Sequence, residues 1–153
     1  MTDADPSYIA SNDAQRKRLS NFVARLTPSD FEKPVGQHWT VAVGLAHLAF
    51  WDRCVIDILD RASRQSFRQP EFFLDGEDGE QVNDAALAGW RLIPPAAIAR
   101  EVLDAAEEVD ARIANLPQQI VEIIRAHGSS AILDRGGHRR VHLNEIEVAV
   151  DSP

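Results

Sequence analysis

The chain has 153 residues, 44% of them hydrophobic and 26% charged, with a formal net charge of −8. That length and balance suit one folded domain with its own core and exclude a disordered or membrane-spanning class. An acidic chain without a dense basic cluster lacks the footprint of a nucleic-acid binder, and "HRR" at 138–140 is too short to form a patch.

The opening "MTDADPSY" carries acids where a secretory signal carries bases, so no export signal is read there. The first helix is predicted from about Ser11 to Leu26, because Leu19, Phe22, Val23 and Leu26 recur at helical spacing. In "TPSDFEKP", Pro28 and Pro34 bracket a tight turn with room for one short helical turn. Thr40, after Trp39, is a good N-cap for a second helix that runs to about Ser63. The longest apolar run, Val41 to Phe50, contains His47 and is too short to span a bilayer. Val43, Phe50, Trp51, Cys54 and Ile58 all fall within about 60° of His47 on the helical wheel. His47 therefore sits at the centre of an apolar stripe. Leu45, Leu48, Ile56 and Leu59 form a second stripe on the opposite side, with Arg53, Asp57 and Asp60 as a polar wedge between. A helix apolar on two faces needs two partners. One is the bundle core; the other is a further helix of this chain or a second copy, and a homodimer is expected on that ground.

Residues 70–80, "PEFFLDGEDGE", read as an acidic loop. Helix is predicted again from Val82 to Arg91, with Trp90 as a core anchor, and "IPP" at 93–95 opens the next one. Ile98, Val102, Ala105, Val109, Ile113 and Leu116 keep a sustained helical period until Pro117 ends it. Ile120 to Ala126 form a short amphipathic helix, broken by "HGSS". The last helix is expected from Ile132 or Gly137 to Val150, with His138, Val141, His142 and Glu145 on one face and Glu147 pointing away. No strand series is predicted. Short connections between amphipathic helices imply an all-α fold, most simply a four-helix bundle forming a single domain over residues 1–153.

Three histidines carry the candidate chemistry. If the second and last helices face each other, His47, His138 and His142 converge in the core, and three neutral imidazoles are a good donor set for zinc, nickel, iron or cobalt. Each has a plainer reading: a histidine on an apolar face is usually packed and hydrogen-bonded, and an H-x-x-x-H pair is more often not a ligand pair. The pair also lacks the glutamate of H-E-x-x-H, so a zincin protease is not supported. His38 and His127 read as surface or capping groups, and Cys54 as a small core hydrophobe rather than a soft ligand or nucleophile. The single cysteine excludes an internal disulfide and fits a reducing cytoplasm. Asp75, Glu77, Asp78 and Glu80 do not match a calcium loop and read as solvated. Arg139 and Arg140 read as solvent-facing, or paired with Glu145 or Asp134, rather than as substrate ligands.

"HWTVAVGLAHLAFWDR", "VNDAALAGWRLIPP" and "LDRGGHRRVHLNEIE" occur in that order and together resemble the DinB/YfiT-like superfamily. Its members include the N-terminal domain of mycothiol-dependent maleylpyruvate isomerase and the bacillithiol transferases. The resemblance implies a four-helix bundle, often dimeric, that holds a divalent metal on three histidines. Those positions fall here on His47, His138 and His142. The metal implied is zinc or nickel, with iron, cobalt or manganese as alternatives. Mycothiol or another low-molecular-weight thiol is the implied co-substrate. Without the isomerase's second domain, the expectation is a thiol S-transferase acting on a small electrophile rather than the isomerase itself. Phe50, Trp51 and Trp90 are expected to line the apolar cavity that binds thiol and substrate, and Glu145 and Asn83 to orient ligands or substrate. The alternatives are a metal-dependent hydrolase of a small molecule and a non-catalytic bundle that binds a small ligand or metal.

Overall fold

Each apolar period becomes a helix. The computed structural model describes residues 7–64, 76–127 and 130–153. In it α1 spans Ser7–Arg25, α2 Val41–Arg64, α3 Gly76–Trp90, α4 Pro95–Ala114, α5 Gln118–Ala126, α6 Ser130–Leu133 and α7 Arg135–Asp151. α2 packs along α4 and α1 along α7, while α1 also meets α4 and α2 meets α7. These four long helices close the bundle, and α3 lies against α2. Among the described residues no helix is long and apolar enough to cross a membrane.

A 3-10 turn over Pro28–Glu32 leads into two short strands, β1 (Pro34–Val35) and β2 (Trp39–Thr40). They pair antiparallel, with Pro34 opposite Thr40 and Val35 opposite Trp39. Gly36, at φ 64°, supplies the left-handed residue of the turn. Strands of two residues are too short to leave an alternating pattern, which is why none was predicted. The Thr40 hydroxyl then accepts from Val43 N at 3.2 Å and caps α2.

Some helix starts differ from expectation, α1 opening at Ser7 rather than about Ser11. α3 begins at Gly76 rather than Val82, so residues 76–80 are helical and not loop. Acids are favoured in a first turn by the helix dipole. A Cβ at Gly79 would lie 3.9 Å from the Trp51 ring, an ordinary contact, so α3 packs against α2 here without needing glycine. Of the acidic run, residues 70–75, including Asp75, and the side chains of Glu77 and Asp78 lie outside the described residues, and Glu80 is exposed. α7 begins at Arg135, where the Asp134 carboxylate accepts from Gly137 N at 2.9 Å.

The second stripe of α2 is buried within the chain. Leu45 and Leu48 pack in a cluster with Ile98, Val102 and Ala105, while Ile56 and Leu59 pack in another with Val109 and Ile113. α4 covers this face, so the stripe no longer argues for a second copy. Arg53 and Asp60 of the polar wedge pair with Glu101, Glu108 and Arg112 on α4.

A charged layer separates the two apolar clusters. It takes one or two residues from each long helix: Asn12, Asp52, Asp110, and Arg135 with Arg139. Arg139 is fully buried. It donates to both Asp110 oxygens at 2.8 and 2.9 Å and to Asp52 Oδ2 at 3.1 Å. Arg135 Nε donates to Asp52 Oδ1 at 2.8 Å, and Arg16 reaches Asp110 from the rim at 2.5 Å. Asn12 donates to Leu133 O at 2.8 Å and accepts from Gly136 N at 2.7 Å. The expectation of a solvent-facing Arg139 is therefore overturned. Its spacing from Leu143, Ile146 and Val150 puts it on the buried face of α7, where two carboxylates neutralise it. Arg140 is exposed.

Candidate metal centre

α2 and α7 meet at the histidines. A Cβ at Gly44 would lie 2.7 Å from Ile146 Cδ1, so glycine permits the close crossing that brings them together. His47 Nε2 then lies 3.0 Å from His138 Nε2 and 3.0 Å from His142 Nε2. The three form a cluster whose ligand atoms all lie within 4.8 Å of one another. Nitrogens about 2.0–2.1 Å from a tetrahedral ion stand about 3.4 Å apart. The two spacings from His47 need only a few tenths of an ångström of opening.

The protonation of His47 supports the fit. Trp51 Nε1 donates to Asn83 Oδ1 at 2.7 Å, and His47 Nδ1 lies 3.2 Å from the same oxygen. An indole N–H only donates, so the shared Asn83 atom is the carbonyl oxygen. His47 Nδ1 must then carry a hydrogen, and its Nε2 presents a lone pair to the other two imidazoles. A single lone pair between two nitrogens at 3.0 Å suits a shared cation.

The surroundings keep the rings neutral, which is the ligand form. Burial first, then the neighbouring His142, holds His47 down to about 3. Burial, then the adjacent Arg135, pushes His138 far below the ordinary range, and burial also lowers His142. Trp39, placed by the β1–β2 hairpin, lies 4.8 Å from His47 and stacks on His142 at 5.9 Å between ring centroids. Trp90 meets His47 edge-on at 5.7 Å. Two indoles thus shield the cluster from water.

The other predicted site residues divide. Asn83 contacts His47 directly. Glu145 is exposed, and its carboxylate lies 3.8 Å from His142 Nδ1, beyond hydrogen-bond reach. Phe50 and Trp90 line a cavity of about 220 Å³ with Ala46, Ala49 and Ile98. Trp51 does not line it; its indole is engaged with Asn83 instead. A groove of about 760 Å³ also runs between the hairpin and α7, lined by Val35, Trp39, Glu145 and Val148. Cys54 is half-buried and outside the histidine cluster, and burial pushes its thiol up, away from nucleophilic duty. His38 is exposed, and His127 ends α5, also exposed.

Sequence reasoning missed Trp39, Asp52, Asp110 and Arg135. A signal existed for Asp52: it falls about 140° from His47 on the wheel, in the middle of the second apolar stripe. A charge at a core position implies a buried partner.

No curated protein and no solved structure matches the chain. Residues 13–148 match the mycothiol maleylpyruvate isomerase N-terminal domain family, and the chain belongs to that family, within the DinB/YfiT-like superfamily.

Proposed function

We propose that this protein is a divalent-metal-dependent S-transferase that joins a low-molecular-weight thiol to a small electrophile. The observation that carries the reading is the convergence of three imidazoles, one buried and two half-buried, on one point, in a chain of a mycothiol-related family. His47, His138 and His142 would hold the ion, zinc or nickel in the first instance. A divalent ion bound there supplies Lewis acidity that favours the thiolate at neutral pH.

The remaining work falls to the chain. Asn83, fixed by Trp51, keeps His47 in the tautomer that presents Nε2. Trp39 and Trp90 cover the rings and exclude water from one side. The groove beside Trp39 and Glu145 gives the thiol an approach, with Glu145 placed to orient its polar end. The cavity under Phe50 and Trp90 suits the apolar part of the electrophile. In the transfer, sulfur forms the new bond to carbon, the thiol proton passes to solvent, and the leaving group departs with its electron pair. We further expect a cytoplasmic protein and, on the family resemblance alone now that α4 covers the second stripe of α2, a homodimer; a monomeric mass at micromolar concentration contradicts the dimer.

The test is thiol consumption with chlorodinitrobenzene as electrophile. Zinc- or nickel-loaded protein should accelerate it, and His142→Ala should abolish the acceleration. Turnover of an ester with no thiol present would instead support a hydrolase. Ligand binding that never turns over, and survives removal of the metal, would support a binding module.

A further inference from the structure

Two of the three imidazoles have neighbours that can only donate or accept in one way, and these fix their hydrogens in opposite senses. On His47 the Trp51–Asn83 pair places the hydrogen on Nδ1. On His138 the neighbour is Arg135, whose Nη2 lies 3.0 Å from Nδ1. A guanidinium donates, stays charged and cannot accept. His138 Nδ1 therefore accepts, and the hydrogen of its neutral ring sits on Nε2. That Nε2 lies 3.0 Å from the lone pair of His47 Nε2, so the two rings meet as donor and acceptor. Arg135 is not free to move. It is 5% exposed, its Nε donates to Asp52 at 2.8 Å and its Nη1 to Ala131 O at 3.0 Å. Asp52 is in turn held by Arg139.

We infer that Arg135, clamped by Asp52, is a positioning residue that latches the metal-free cluster by holding His138 in the tautomer that donates to His47. To offer Nε2 to an ion, the neutral His138 ring must carry its hydrogen on Nδ1. There it meets the N–H of Arg135, and the guanidinium must turn away. The proton changes nitrogen through solvent and the ring stays neutral throughout. Ligand histidines ordinarily donate their second N–H to a carboxylate, a carbonyl or water, which strengthens the ligand. Arg135 does the reverse: it opposes metal binding and sets a threshold that only a strongly bound ion passes.

The first half of the inference needs no metal. Long-range proton–nitrogen spectra of the metal-free protein, labelled at histidine, should show His47 protonated on Nδ1 and His138 on Nε2. His138 protonated on Nδ1 overturns the latch, whatever the metal affinity. The second half rests on the metal reading. Zinc dissociation constants, measured by competition with a chromophoric chelator, should fall about 10-fold or more in Arg135→Met. Arg135→Lys, which keeps a charged donor, should stay near the parent. Should the methionine variant fail to fold, Arg135→Gln carries the same expectation, because its amide can turn an oxygen toward His138. Unchanged or weaker zinc binding in the folded variant overturns the opposing role. A parent protein that binds no zinc defeats the metal reading instead, and the spectrum still decides the latch.

Discussion

The charged layer and the histidine cluster share α7: Arg139 lies between His138 and His142 in sequence, yet the two groups end in opposite states. In the charged layer, Asp52 and Asp110 each receive two guanidiniums, and only Arg139 Nε is left without a partner among the described buried side-chain atoms. In the histidine cluster, ring nitrogens crowd at 3.0 Å, and the hydrogen that joins His138 to His47 stands where an ion would bind. A buried polar group is therefore not in itself a sign of function. The saturated layer fixes how four helices pack, because a slip of any one strands a charge. The cluster instead holds its rings together by exchangeable hydrogens, which an ion can replace once Arg135 yields.

Breaking the saturated layer should have the largest effect. Arg139→Met leaves two buried carboxylates short of a partner and should cost about 3–5 kcal/mol in urea unfolding. A loss near zero would mean that the layer relaxes or hydrates easily, and the contrast between the two regions would collapse.

Acid should weaken the histidine cluster next. An unfolded histidine takes up its proton near 6.5, whereas folded His47 resists until about 3. Between these values the unfolded chain binds more protons, so stability is full above about 6.5 and falls as pH drops toward 3. Lowering the pH from about 6.5 to about 5 should cost about 2 kcal/mol on account of His47 alone. The lowered His138 and His142 act in the same direction. Thermal unfolding of metal-free protein across this range checks it, and a flat profile would show that the rings are solvated.

A smaller effect probes backbone approach beside the charged layer. A Cβ at Gly136 would lie 2.5 Å from the backbone carbon and oxygen of Ser11, whereas one at Gly89 would meet nothing within 4 Å. Gly136→Ala should destabilise by about 1–3 kcal/mol. Gly89→Ala, in a helix, should stabilise by about 0.5–1 kcal/mol. Equal melting temperatures for the two variants would contradict the close seating of α7 on α1.

Periodicity made His47 legible, because a histidine centred in an apolar stripe has to face the core. The four-residue gap put His138 and His142 on one side of the last helix, and Thr40 announced its cap. The charged layer was only half legible. Asp52 and Arg139 occupy core positions of their helices, but a single helix cannot show that its misplaced charge meets the opposite charge of another. The supports of the cluster were less legible still. Trp39 reaches His142 through a hairpin of two-residue strands, and Asn83 reaches His47 through the setting of α3 against α2. Neither contact repeats along the chain, so no pattern within one helix carries it. The start of α3 was hidden because glycine and acids suit a loop and a first helical turn equally well.

The central claim is that one ion is gripped by three rings from two helices. Titration of the metal-free protein with zinc, followed by calorimetry in the parent and in His47→Ala, His138→Ala and His142→Ala, tests it most directly. The account predicts one ion per chain in the parent and binding weakened by at least about 100-fold in each variant. Unaltered stoichiometry and affinity in any one of the three variants would contradict it.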